Sequence, residues 1–192
     1  MTARRVFFGM AIALALVAAA CGDSGGSATP SSAAFNDADI AFAQGMIPHH
    51  KQAVEMADLA ATRASSAKVK DLATRIKAAQ GPEIATMTAW LKSWNKPVIA
   101  AGGGMAGKNH GGDADMGMMS AADMKSLTAS TGAAFDKIFL TMMIEHHKGA
   151  IDMANTQRAK GKFTDAKTLA DAIATSQQAE IDEMNNLLTS AG

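Results

Sequence analysis

One property of this sequence limits its fold more than any other: the same unit occurs twice. Residues 35–94 align on residues 132–191 without a gap. Matched pairs include Asp39/Asp136, Phe42/Phe139, Met46/Met143, Ile47/Ile144, His49/His146, His50/His147, Lys51/Lys148, Ala53/Ala150, Met56/Met153 and Ala57/Ala154. A second stretch pairs Leu72/Leu169, Ile76/Ile173, Gln80/Gln177, Glu83/Glu180, Ile84/Ile181, Met87/Met184 and Leu91/Leu188. The fold must therefore be built from two copies of one supersecondary unit.

Each unit has a helical period. Phe42, Met46, His49, Ala53, Met56 and Ala60 recur at steps of three and four, which lines one face of an α-helix. Asn36 with Asp39 three positions on makes a capping box, and the polar run Ala64–Ala67 breaks the pattern before Leu72, Ile76, Glu83, Met87 and Trp90 resume it. Each unit thus reads as a helical hairpin, its helices about 40 Å long at 1.5 Å per residue. Two hairpins can close their apolar stripes only on each other, so the expected fold class is all-α, a four-helix bundle. Residues 35–95 form the first hairpin. Residues 96–120 form a crossover rich in Gly, Met and His, too glycine-rich to continue a helix. Residues 121–192 hold a short connecting helix, capped by Ser120 and Asp123 and running to about Leu127, and then the second hairpin.

The segment before the bundle has a different character. Arg4 and Arg5 precede an apolar stretch, Val6 to Ala20, that is too short to span a membrane, so residues 1–20 read as an export signal. Cys21 is the sole cysteine and follows Ala18, Ala19 and Ala20, where a lipoprotein signal places the thiol to be acylated. Residues 21–34 are built mostly of Gly, Ser, Thr, Ala and Pro, the composition of a flexible tether. The expected location is the outer face of the cell membrane, anchored through lipidated Cys21; a secreted or periplasmic protein is the alternative. A single cysteine excludes a disulfide framework. The 18 basic residues equal the 18 acidic ones and form no basic stripe, which argues against nucleic acid as a partner.

The histidines carry the chemistry. Four of the five fall in the equivalent pairs His49-His50 and His146-His147, and the fifth, His110, lies in the crossover. At 100° per residue His49 sits in the middle of the apolar stripe and His50 towards its edge, while Glu83 shares the stripe of the second helix with Ile76 and Trp90. A carboxylate aimed inwards needs a partner. A hairpin turn centred near residue 66 sets His49 and His50 across from Glu83, and Met46 across from Met87. The second turn, at Gly161–Asp165, sets His146 and His147 across from Glu180, and Met143 across from Met184. Imidazole with thioether is a soft donor set that suits Cu(I), and the carboxylate adds affinity for Cu(II). Copper is therefore the expected ion. Met56 and Met153 are secondary candidates, as are His110, Met116, Met118 and Met119 in the crossover, where packing is not the general reason to choose methionine.

Blander readings exist for each feature. A His–Glu pair facing a core can be an ion pair that fixes register, and methionine is a common core filler. Trp90, Trp94, Phe42 and Phe139 read as core; Lys51, Lys148, Glu55 and Asp152 read as solvated outer face. Pro48 removes a backbone bond inside the first helix, where the second unit has Glu145, and is expected to kink it beside the site.

The motif MIPHHKQAVEMA, repeated as MIEHHKGAIDMA and followed in each unit by QxxEIxxM, resembles domain-of-unknown-function family 305 over nearly all of residues 35–190. The resemblance implies a ferritin-like four-helix bundle and, from the CopM-like members, an exported protein that binds copper and contributes to copper tolerance. It marks His49, His50, His146 and His147, with Met46, Met56, Met143 and Met153, as signature residues and implies their roles as ligands. A di-iron or di-manganese oxidase would need a carboxylate-rich set that only Glu83 and Glu180 begin to supply, so no enzymatic activity is expected, although redox chemistry stays open. A non-metal scaffold, with methionines binding a protein partner or a second copy of the chain, is the alternative.

Overall fold

A computed structural model describes residues 35–99 and 116–190. The signal, Cys21, the tether, Met105 and His110 lie outside the described residues. Five helices are present: α1 (Asp37–Arg63), α2 (Ala67–Ser93), α3 (Ala121–Ala129), α4 (Gly132–Lys160) and α5 (Thr164–Ser190). The all-α expectation holds, and α1–α2 and α4–α5 are the two hairpins.

Local chemistry sets the helix ends. The Asn36 side chain accepts from the Asp39 amide while Asp39 accepts from the Asn36 amide, and Ser120 and Asp123 repeat the box at α3. Pro48 lies inside α1, which continues past it, and α2 likewise runs through Pro82.

In the bundle α1 packs on α2 and α4, and α4 on α5, whereas α2 and α5 barely touch. The antiparallel meeting of α1 and α4 relates the two hairpins by an approximate two-fold axis. Asp39, fully buried, accepts from the backbone amides of Lys162 and Phe163 and from the Gln157 side chain in the other hairpin. Its copy Asp136 accepts from the Ser65 and Ser66 amides and the Ser65 hydroxyl. Each aspartate therefore clasps the amides at the start of the opposite hairpin's second helix, where a carboxylate also suits the helix dipole. An aspartate on the apolar stripe, three residues before Phe42 or Phe139, was the signal for this, and the capping role of Asp39 alone accounts for only part of it.

The core is in two parts. One gathers Ala53, Met56, Leu72, Ile76, Leu127, Phe135, Phe139, Met143 and Met184; the other gathers Phe42, Met46, Met87, Leu91, Ala150, Ala154 and Ile173. The four paired histidines sit between them in sequence along α1 and α4, forming a polar layer. Phe42 and Phe139 are core as expected. Trp90 and Trp94 border the core without being fully buried: both pack against its second part at one end of the bundle, in contact with Phe35 and Phe163. Lys51, Lys148, Glu55 and Asp152 are exposed, as expected.

Candidate metal centre

Hairpin geometry brings His50 Nε2 to 2.7 Å from Glu83 Oε2, and His147 Nε2 to 2.6 Å from Glu180 Oε2. All four imidazoles are buried, while the two glutamates keep an edge towards solvent. His49 and His146 do something the hairpins alone do not specify. They leave their own glutamates and meet across the α1–α4 contact, ring centroids 3.7 Å apart and tilted by 35°.

The crossover enters the site here. His49 Nε2 donates to the Met116 carbonyl at 2.9 Å, and the Gln52 side chain holds the Met119 backbone in both directions, at 2.8 and 2.7 Å. The segment presses on α4 at Gly149, where a Cβ would stand 1.7 Å from the Met116 carbonyl oxygen; Gly117 takes the required positive φ of 71°. Met119 and Met124 pack on the core, so these two methionines have a packing role that the crossover's composition hid. Met116 and Met118 are partly buried beside them.

These partners fix the tautomers. A carbonyl or a carboxylate only accepts, so the Nε2 atoms of His49, His50 and His147 carry the hydrogen and their Nδ1 atoms present lone pairs. All three Nδ1 atoms are buried without a partner, and in His146 both ring nitrogens are. Gln80 and Gln177, from α2 and α5, are also buried in the interior with unpartnered amide atoms. Such a set of unsatisfied groups is costly in an interior and calls for a ligand. Burial, followed by repulsion from the His50 ring, pushes His49 down to about 3, against the Met116 carbonyl that raises it. Burial, then His49 and His147, holds His146 well below its ordinary value. Both rings are therefore neutral at pH 7, the form that binds metal.

Met46 and Met87 share one half-core with Met153, and Met143 and Met184 share the other with Met56. Each half thus takes one of the matched methionines, Met56 or Met153, from the other hairpin; Met153 Sδ lies 3.5 Å from the Cβ position of Gly45. This exchange of Met56 and Met153 depends on how the hairpins dock and has no signal in the spacing. Among the described residues no three of His, Cys, Asp and Glu converge as ligands of one metal ion, so any site here must draw on other donors as well. The donors that remain are soft: imidazole nitrogen with its other nitrogen tied to a carboxylate or carbonyl, and thioether sulfur. A carboxylate or carbonyl behind an imidazole is the usual outer support of a metal-binding histidine.

Fold and site together define a duplicated four-helix bundle with a buried histidine layer between two methionine-bearing half-cores. The model of the domain of unknown function DUF305 matches residues 39–188, and the chain belongs to that family. It is similar to a putative secreted DUF305 protein from Streptomyces coelicolor at 33% identity and a TM-score of 0.72, covering 81% of this chain and 94% of that one. A DUF305 fragment from Deinococcus radiodurans matches at 27% identity and a TM-score of 0.70, covering 81% and 97%. CopM in its Cu(II)-bound form matches at 32% identity and a TM-score of 0.67, covering 79% and 96%. CopM has also been solved in Cu(I)-bound, Ag-bound and apo forms. Among proteins of curated function none matches.

Proposed function

We propose that this protein is an exported, lipid-anchored copper-binding protein that sequesters copper, Cu(I) in preference to Cu(II), and has no enzymatic activity of its own. One observation carries the reading: every imidazole of the buried layer leaves a ring nitrogen without a partner, and in three of the four the opposite nitrogen is already oriented by an acceptor. His49, His50, His146 and His147 would supply nitrogen, with thioether from Met46, Met87, Met143 and Met184 and, secondarily, Met56 and Met153. Glu83 and Glu180 act from behind His50 and His147. Soft donors select Cu(I) over the harder divalent ions. The copper- and silver-bound forms of CopM support the reading.

The second reading is a polar layer that serves structure alone, favoured by the lack of three convergent His, Cys, Asp or Glu donors among the described residues. Titration with Cu(I) against a chromogenic competitor separates the two. Changing the four histidines to Ala is expected to abolish tight binding; unchanged affinity sinks the copper reading. Deleting residues 102–115, which carry Met105 and His110, is expected to lower stoichiometry and leave tight binding intact. Anchoring has its own check: Cys21→Ser is expected to release the exported protein from the membrane fraction.

A further inference from the structure

The two ends of the bundle ought to be alike, because the duplication relates them, and they are not. At the end where α1 begins and α2 finishes, Phe35 stacks on Trp94 at 4.7 Å. Trp90 and Trp94 both meet Phe163 edge-on at 5.4 Å and lie 6.2 Å from each other. None of the four rings is fully buried, and Val98, 39% exposed, follows in the chain. Gln44 holds the Pro97 carbonyl and so fastens that segment to α1. The equivalent positions in the other copy are Gly132 for Phe35, Leu187 for Trp90, Ala191 for Trp94 and Ser66 for Phe163. The opposite end closes through Asp136 and the Ser65 and Ser66 amides, with the stacked rings of Phe135 and Phe139 fully buried behind them. Its aromatic rings are interior, whereas the four at this end stay partly exposed.

Charge completes the pattern. Lys92, Lys96, Lys160 and Lys162 are exposed around this end, and none pairs with an acid among the described residues. Their backbones are fixed there by Lys96 on Leu91, Asn36 on Lys160 and Lys162 on Asp39. Asp37 and Asp165 are the exposed acids nearby and leave the lysines in excess. Tryptophan and phenylalanine rings that rest on the core with part of their surface exposed, at an end that also carries unpaired lysines, suit the headgroup region of a membrane, where the rings take the apolar side and the ammonium groups meet anionic phosphate. Phe35 is also where the chain arrives from Cys21. Thirteen residues separate Cys21 from Phe35 in the sequence, so an anchor at Cys21 would join the bundle at this end.

We infer that the aromatic, lysine-rich end of the bundle, Phe35, Trp90, Trp94 and Phe163 with Lys96 and Lys162, is a docking surface for an anionic lipid bilayer. The orientation this gives rests on the lipid-anchor reading; the docking itself does not. Docking stands the bundle on the membrane with the Asp136 end turned outwards.

Residues Ser32–Gly192 form one unit, and the crystallised relatives, matched over 94–97% of their chains, are little more than this bundle, so the domain can be tested without Cys21. The only two tryptophans of the chain are Trp90 and Trp94, so intrinsic emission reports on this end alone. Vesicles of phosphatidylglycerol and phosphatidylcholine in equal parts are expected to shift that emission to the blue and sediment the protein, and pure phosphatidylcholine to do neither. Lys96→Glu with Lys162→Glu, both exposed and confirmed as folded by an unchanged urea midpoint, is expected to weaken binding about tenfold or more. Sedimentation without an emission shift, an equal response to pure phosphatidylcholine, or a blue shift that appears on concentration without vesicles overturns the proposal. The first two would point to another binding mode and the last to a second copy of the chain. Docking to anionic lipid is weakened by salt and a lipid anchor is not, so membranes washed in high salt test the anchor alone: if parent and Cys21→Ser are released equally while vesicle docking is intact, the anchor reading fails and the docking surface stands.

Discussion

The two hairpins carry the same histidine–glutamate pair, at 2.7 Å in one and 2.6 Å in the other, yet treat their remaining histidines differently. His49 gives its Nε2 hydrogen to the Met116 carbonyl, whereas His146 has no partner on either nitrogen. The difference traces to one matched position. Where the first copy has Gln52, which grips the Met119 backbone, the second has Gly149, which leaves room for Met116. A long connection can occupy only one side of a two-fold bundle, so it must choose a copy, and the divergence at this one position makes the choice. Duplication thus supplies the paired histidines, and divergence decides which imidazole is held and which is left bare.

Acid is expected to test that comparison most strongly. His49 titrates near 3 and His146 well below its ordinary value, both below the 6.5 of an unfolded chain. The unfolded state therefore binds more protons, so stability is unaffected above 6.5 and falls as pH drops towards the folded values. Between pH 6.5 and about 4.5, above the range where carboxylates dominate, each buried ring contributes a slope approaching 1.4 kcal/mol per pH unit. Urea melts of His49→Gln and His146→Gln should each lose one ring's share, about half of the slope the two rings give together. A slope untouched by both would mean that other groups cause the acid sensitivity.

The aspartate clasps come next. Asp39→Ala leaves the amides of Lys162 and Phe163 and the Gln157 side chain without their acceptor and is expected to cost about 3 kcal/mol or more in urea melts. Asp136→Ala should cost less, because its side-chain partner is the hydroxyl of exposed Ser65 where Asp39 has the amide of buried Gln157, and Asp136 is itself slightly less buried. Equal losses would show that the two ends are energetically alike despite their different partners.

How much of this was legible beforehand depends on the distance of each feature from its own hairpin. The His50–Glu83 and His147–Glu180 pairs follow from the position of one turn, since helical rise fixes which residues lie across from each other. The capping boxes at Asn36 and Ser120 are equally local. The His49–His146 stack, the cross-hairpin clasps and the exchange of Met56 and Met153 depend on how α1 docks on α4, and no spacing within a unit encodes that. Trp90 and Trp94 continue the apolar stripe of α2 to its very end, where only Phe35 and Phe163 remain to cover them and do so in part. Periodicity shows which face a residue takes and says nothing of where the neighbour stops.

The smallest expected effects bear most directly on the asymmetry. Gly149→Ala places a methyl group where the Met116 carbonyl now lies, which the backbone can relieve only by moving, at a cost of about 1–3 kcal/mol. Gln52→Ala removes two hydrogen bonds to Met119 and should cost about 1–2 kcal/mol. Both changes should release the segment from His49, and amide exchange at Met119 reads that release. If the segment restrains the site, both variants should also change the Cu(I) affinity in the same direction, because each leaves the His49 Nε2 hydrogen without its acceptor and the ring free to turn. If Met119 exchanges faster in both while Cu(I) affinity stays as in the parent, the held and bare histidines are equivalent as ligands, and the asymmetry belongs to folding alone.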